Sequence, residues 1–180
     1  ATALVAGVNA ALVKRGKTGK GDLVQASLFQ AGCFALSSGF LSAYSGKAWP
    51  RTRFEPNNST SNTYKCKDGD WFYLAGTAYD KQWADIATNV LERPDMADDP
   101  RFVTRKAVED TGSMETQVKM MDEIFATKTY EEWAKIMTEN DVAFEKAQHF
   151  TELVKDPQAL ENEYIFYHTY GNEKAAPFAH

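Results

Sequence analysis

Lys14-Arg15-Gly16-Lys17-Thr18-Gly19-Lys20-Gly21-Asp22-Leu23-Val24-Gln25-Ala26-Ser27-Leu28 separates two apolar stretches and decides the fold class. Residues 1–13, rich in Ala, Leu and Val, run into Lys-Arg-Gly. That pattern reads as a helix capped at Gly16, with cations facing its negative pole. Residues 23–28 predict a short β-strand, and residues 29–44 return to helical spacing. Helix, glycine turn, strand, helix is the order of an α/β layer. Gly16-Lys17-Thr18 imitates the end of a phosphate loop, but Ala11 stands where that pattern needs its first glycine. A phosphate cradle also runs strand, loop, helix, so that a helix N-terminus meets the anion. Here a helix C-terminus enters the loop, and the stretch is a turn.

Helix 1–13 is apolar nearly all round, with Asn9 the exception, and is expected to be buried on most sides. Phe29, Leu36, Phe40 and Leu41, with Cys33 beside them, form a stripe expected in the core. Residues 46–63 then lose all apolar periodicity across Pro50, Pro56 and Asn57-Asn58-Ser59-Thr60-Ser61-Asn62-Thr63. A loop of that length in a compact domain is either a solvated linker or one that carries ligand contacts or a domain crossing. Asn57, Asn58, Ser59 and Thr60 are its substrate-loop candidates.

Downstream, Asp68-Gly69 predicts a type I′ turn between two β-prone runs. That register sets Cys66 opposite Trp71, Tyr64 opposite Tyr73 and Lys67 opposite Asp70, with one aromatic face buried. Residues 80–91 place Trp83, Ile86, Ala87 and Val90 on one helical face, and residues 103–109 read as a short helix. Residues 113–126 align Val118, Met121, Ile124 and Phe125, the methionines serving as core filler. Thr129 and Glu132 spell a capping box before Trp133, Ile136 and Met137. Asp156-Pro157 starts another helix, and residues 164–170 are β-prone.

Chemistry-bearing motifs are sparse. His149 sits near Glu145, Lys146 and Glu152, which reads as a helix edge or an acid–base group. His168 lies in the β-prone run, and His180 is terminal. Two cysteines, Cys33 and Cys66, are expected as reduced thiols in a cytoplasmic protein, and no zinc-ligand spacing occurs, so no metal is expected. A formal charge of −5 without a basic face argues against nucleic acid. No apolar run suffices for a membrane span. The chain opens inside an apolar helix without Met and stops at Ala176-Pro177-Phe178-Ala179-His180, the pattern of an excerpt from a longer protein.

Gly7-Val8-Asn9-Ala10-Ala11-Leu12, Arg15, Thr18-Gly19-Lys20-Gly21 and Val24-Gln25-Ala26-Ser27-Leu28 are the first of an ordered set of landmarks. Tyr64-Lys65-Cys66-Lys67-Asp68-Gly69, Asp99-Pro100-Arg101-Phe102 with Thr104-Arg105, and Phe125 with Thr129 and Glu132-Trp133 follow. Asp156-Pro157-Gln158 and Ala176-Pro177-Phe178 close it. The series resembles the family III CoA-transferases, which include formyl-CoA and carnitine CoA-transferases and the related alpha-methylacyl-CoA racemase.

That resemblance implies an α/β fold: a helix-strand-helix piece of a large Rossmann-like domain, plus an α+β small domain with a β-hairpin. Residues 1–46 would end the first large-domain segment, 47–63 form a crossover linker, 64–147 the small domain, and 148–180 the return. It also implies CoA transfer from an acyl-CoA to a small organic acid through an aspartyl-CoA thioester. Coenzyme A is then a substrate, no cofactor is tightly bound, and the parent protein is an interlocked homodimer. The family's nucleophilic aspartate precedes the helix corresponding to residues 1–13. It is therefore expected upstream of Ala1 together with most CoA contacts, and the chain alone is expected to be inactive.

The oxalate-handling branch has a glycine run where Asn57-Asn58-Ser59-Thr60-Ser61 stands, so a glycine-loop mechanism does not carry over. Val142-Ala143-Phe144-Glu145-Lys146-Ala147 and Asn162 are more similar to the 2-hydroxyacyl-CoA transferases. A racemase of the same superfamily and a noncatalytic assembly module are the alternatives.

Overall fold

The computed structural model describes residues 1–46, 52–169 and 171, and the backbone of 176–179. The chain divides into two compact units, Ala1–Arg51 and Thr52–His180.

In the first unit, α1 spans Thr2–Thr18, past the expected Gly16 cap. Gly19 ends it instead, in the left-handed region at φ 69°, its N–H donating to the Arg15 carbonyl at 2.8 Å. Within this last turn Thr18 Oγ1 donates to the Lys14 carbonyl at 2.9 Å, and the helix breaks at the next glycine. Arg15 and Lys17 face the carbonyl pole.

The expected strand 23–28 does not form. Residues 20–27 form neither helix nor strand, and Leu28 already belongs to α2, Leu28–Ala35. A strand needs a neighbour to take its N–H and C=O groups. Ser27 is drawn into capping α2 instead, accepting the Gln30 N–H at 3.1 Å. Helix 29–44 is likewise split, for α3 starts afresh at Ser37–Tyr44 after a break at Leu36. Ser37, Ser38 and Gly39, all weaker helix formers than Ala or Leu, follow that break.

The burial expected for this unit is also absent. No residue of α1 is buried, and Phe29, Leu36, Phe40 and Leu41 are 83, 59, 57 and 69% exposed. Amphipathic spacing shows which face can be covered, but two short layers do not cover it.

The second unit holds the core. Strands β1 (Ser61–Lys65), β2 (Trp71–Ala75) and β3 (Phe144–Lys146) form an antiparallel sheet in that order. The hairpin register is one residue away from the type I′ reading: Tyr64 pairs with Phe72 and Lys65 with Trp71. Gly69 N–H closes a turn on the Cys66 carbonyl at 3.0 Å, and Gly69 then takes φ 94° as a bulge while neither Lys67 nor Asp68 has positive φ. A type I turn plus glycine bulge lengthens the loop to three residues. The one-residue shift turns Phe72 and Leu74 inward and leaves Tyr73 45% exposed. Because β1 keeps its parity, Tyr64 and Cys66 stay inward as expected.

Against this face pack α4 (Tyr79–Asp85) with its one-turn π continuation Ile86–Val90, and α7 (Met114–Phe125) and α8 (Tyr130–Glu139). Trp83, Ile86, Ala87, Val90, Val118, Met121, Phe125, Trp133 and Met137 are buried as their spacing predicts. Phe125 is the hub, with ring centroids 4.8 Å from Tyr64, 5.0 Å from Phe72 and 5.0 Å from Trp133. Fully buried rings of this kind contribute about 2–3 kcal/mol each in transfer free energy.

The Thr129–Glu132 capping box opens α8. Between these elements lie α5 (Pro94–Ala97) and α6 (Arg105–Thr111), the latter two residues beyond the expected start because Thr104 is its N-cap. The chain continues as α9 (Phe150–Leu153) and α10 (Pro157–Glu161), the latter capped by Asp156, which accepts the Ala159 N–H at 2.9 Å. Strands β4 (Ile165–His168) and β5 (Ala176–Ala179) pair antiparallel.

Candidate functional site

The loop before β1 ends earlier than its composition predicts, because Ser61, Asn62 and Thr63 are already strand. Its first part is pinned by Arg53. The guanidinium holds Asp122 of α7 in a two-pronged ion pair, donates to the Thr63 carbonyl at 3.0 Å, and lies over the Phe54, Tyr64 and Trp71 rings. The Arg53 carbonyl in turn accepts from Asn62 Nδ2 at 2.9 Å.

The four loop candidates fall into two groups. Asn58, Ser59 and Thr60 are 7, 0 and 0% exposed. Asn58 Nδ2 donates to the Gly76 carbonyl at 2.8 Å, and its Oδ1 accepts from the Thr60 N–H at 2.9 Å and Thr60 Oγ1 at 2.8 Å. Thr60 Oγ1 also lies 2.6 Å from the Gly76 carbonyl, and Ser61 Oγ donates to it at 2.9 Å. Gly76 N–H returns a bond to the Thr60 carbonyl at 2.7 Å, and Tyr64 Oη–H donates to the Ser59 carbonyl at 2.6 Å. A Cβ on Gly76 would stand 2.9 Å from Thr60, so only glycine permits this approach. Asn57, by contrast, is exposed. Its carbonyl accepts from Arg105 Nε at 3.1 Å, while the Arg105 N–H donates to Asp80 Oδ1 at 2.6 Å. Arg53, Gly76, Arg105 and Asp122 were invisible as partners in the sequence, since their contacts link segments far apart in the chain.

The carboxylates around His149 are committed elsewhere. Glu152 accepts the His149 backbone N–H at 2.8 Å and pairs with Lys146 Nζ at 2.9 Å, while Lys146 also pairs with Asp70 at 2.8 Å. Hydrogen bonds that Lys146 donates to Asp70 and then Glu152 hold its ammonium well above its ordinary range. His149 is therefore the N-cap of α9, the helix-edge alternative. His168 lies in β4, and His180 falls outside the described residues.

Cys33 and Cys66 are free thiols. Burial, reinforced by Asp68 and Asp70, pushes the Cys66 thiol up to about 12, so it is a packed side chain and no nucleophile. No His/Cys/Asp/Glu cluster among the described residues could hold a metal ion, and no described helix is long and apolar enough to cross a membrane. In the first unit, a cleft of about 750 Å³ runs along the start of α1, lined by Thr2, Ala6, Gly7, Gln25, Gln30 and Phe34 among others. Beside it Gly7 lets α1 approach Val24 closely, for a Cβ there would stand 2.7 Å from the Val24 side chain.

A mixed α/β chain with a small antiparallel sheet also describes proteins of known structure. Rv3272 from M. tuberculosis matches with a TM-score of 0.73 at 19% identity, over 97% of this chain and 44% of that one. A CAIB/BAIF family protein from Brucella suis matches with a TM-score of 0.68 at 19% identity, over 96% and 47%. In sequence, the chain is 36% identical to the (R)-2-hydroxy-4-methylpentanoate CoA-transferase of Clostridioides difficile over 93% of its length and 41% of that protein's. It is 31% identical to the cinnamoyl-CoA:phenyllactate CoA-transferase of Clostridium sporogenes over 96% and 42%. The chain thus spans about two fifths of the curated relatives it matches. The description CoA-transferase family III matches residues 1–180, and the chain belongs to that family.

Proposed function

We propose that the parent of this chain transfers CoA from an acyl-CoA to a small 2-hydroxy carboxylic acid. The observation that carries this reading is the match of nearly the whole chain to two relatives whose named acids, 2-hydroxy-4-methylpentanoate and phenyllactate, are both 2-hydroxy acids. In the proposed mechanism an aspartate N-terminal to α1 attacks the thioester carbonyl, giving a mixed anhydride and CoA thiolate. The thiolate attacks the aspartyl carbonyl of the anhydride, releasing the first acid and leaving an aspartyl-CoA thioester. The second acid's carboxylate repeats the two steps in reverse, regenerating the aspartate. A carboxylate nucleophile keeps every intermediate activated, so thioester energy is conserved.

Residues 1–46 then belong to the large domain, 47–63 to the crossover, 64–147 to the small domain and 148–180 to the return. The parent is an interlocked cytoplasmic homodimer, and the 180 residues alone are inactive. Asn57, Asn58, Ser59 and Thr60, at the end of the crossover, form the substrate loop. The test is to incubate the full-length protein with acyl-CoA and look by mass spectrometry for a CoA adduct that hydroxylamine removes from an aspartate. Exchange of the substrate α-proton without any such adduct would point to the racemase chemistry instead. CoA exchange by the 180-residue chain would overturn the upstream placement.

A further inference from the structure

Resting on the transferase reading, with residues 57–60 as its substrate loop, we propose that Tyr64 is a positioning residue that fixes the shape of this loop before the acid binds. Asn58, Ser59 and Thr60 are buried, and the main-chain carbonyl of each has a donor. Ser61 N–H supplies Asn58 at 3.1 Å, and Gly76 N–H supplies Thr60 at 2.7 Å. For Ser59 the donor is a side chain, the Tyr64 hydroxyl at 2.6 Å. The loop is thus held from two strands, for Tyr64 lies in β1 and Gly76 directly follows β2.

Tyr64 is suited to this because packing fixes its own place. Its ring is fully buried, with centroids 4.8 Å from Phe125 and 6.1 Å from Phe72. Its one hydroxyl proton has the Ser59 carbonyl as the near acceptor, with Met121 Sδ farther off at 3.4 Å. Burial keeps the hydroxyl protonated, so at neutral pH it stays a donor. Without it the Ser59 carbonyl is a buried acceptor with no donor, and the segment gains by shifting towards water. Asn57, the member of the four that reaches the surface, is joined to this segment, and its carbonyl is held by Arg105 Nε at 3.1 Å. A loop held at both ends has little freedom left to lose when the acid docks. Tyr64 therefore touches no substrate atom but sets where the loop meets it.

Hydrogen exchange on the full-length protein reads the loop without turnover. In the wild type the Thr60, Ser61 and Gly76 amides should exchange as slowly as those of α7, and in Tyr64→Phe about tenfold faster once the change in α7 is divided out. With cinnamoyl-CoA as donor, the KM for 2-hydroxy-4-methylpentanoate should rise about fivefold in Tyr64→Phe while kcat stays within about twofold. Asn58→Ala, which cuts the side-chain tie to Gly76, should give the same split. Met137→Ala, a truncation of a buried residue on α8, lowers stability without removing a bond to the loop and should leave KM unchanged. Loop amides that exchange freely in the wild type overturn the proposal, as does an unchanged KM in both loop variants or an equal rise in Met137→Ala. Exchange needs no turnover: a wild-type protein that transfers no CoA would sink the transferase reading, and the rate at Thr60 in Tyr64→Phe would still decide whether Tyr64 fixes the loop.

Discussion

The Arg53 guanidinium and the Asp122 carboxylate, 69 residues apart in sequence, close a two-pronged ion pair that fastens the loop entering β1 to α7. Both side chains are about three-quarters covered, and three aromatic rings surround the cation. Removing one partner leaves the other charge half-buried and unpaired. Asp122→Asn should therefore cost about 2 kcal/mol in urea unfolding followed by tryptophan fluorescence. A double-mutant cycle with Arg53→Met should show a coupling of about 1 kcal/mol or more, and additive losses would contradict the pairing.

Gly76→Ala tests the polar knot. The new Cβ would sit 2.9 Å from the Thr60 side chain and 3.0 Å from its carbonyl, and that carbonyl cannot move without breaking the bond from Gly76 N–H. A loss of about 2 kcal/mol is expected, with faster amide exchange at Thr60 and Gly76. A neutral substitution would show that the loop yields easily.

Glu92 has φ 56°, a conformation that costs a residue with a side chain and suits glycine. Its ion pair with Lys128 spans 3.8 Å at an exposed site and contributes little. Glu92→Gly should raise stability by about 0.5 kcal/mol, measurable as a higher melting temperature. A lower one would mean that the ion pair outweighs the backbone strain.

Alkaline pH should destabilise the fold through Cys66, Tyr64 and Tyr79, all raised chiefly by burial. Each ionises more readily when unfolded. The unfolded state therefore releases protons first, and stability falls as pH rises from the ordinary thiol value of 9.0 towards 12. At pH 8 the buried Cys66 of the folded state stays in the unreactive thiol form. Iodoacetamide should accordingly modify Cys33 and spare Cys66 until urea is added. Equal labelling of the two would show that Cys66 is not held in the core.

Much of the second unit, Thr52–His180, is legible in the sequence because its signals are local. The Thr129–Glu132 box, the Asp156-Pro157 helix start and the inward faces of α7 and α8 depend on residues within a turn or two of each other. The hairpin was legible in existence but not in register. Asp68-Gly69 serves a type I′ turn and a type I turn with a bulge equally well, and only the packing of Phe72 against Phe125 separates them. The first unit was misread because hydrophobic spacing marks a face that can be buried, whereas coverage and strand pairing need a neighbour. In the site, Asn57, Asn58, Ser59 and Thr60 stood out by composition. Which of them face outward depends on Gly76 and Arg105, whose partnership with the loop no local pattern encodes.

Transfer of CoA to a 2-hydroxy acid is tested most directly by mixing the full-length protein with cinnamoyl-CoA and 2-hydroxy-4-methylpentanoate and following both thioesters by chromatography. The expected result is 2-hydroxy-4-methylpentanoyl-CoA appearing as cinnamoyl-CoA disappears, one for one, with no free CoA accumulating. Hydrolysis to free CoA, or no change in either thioester with this and other acyl donors, would contradict it.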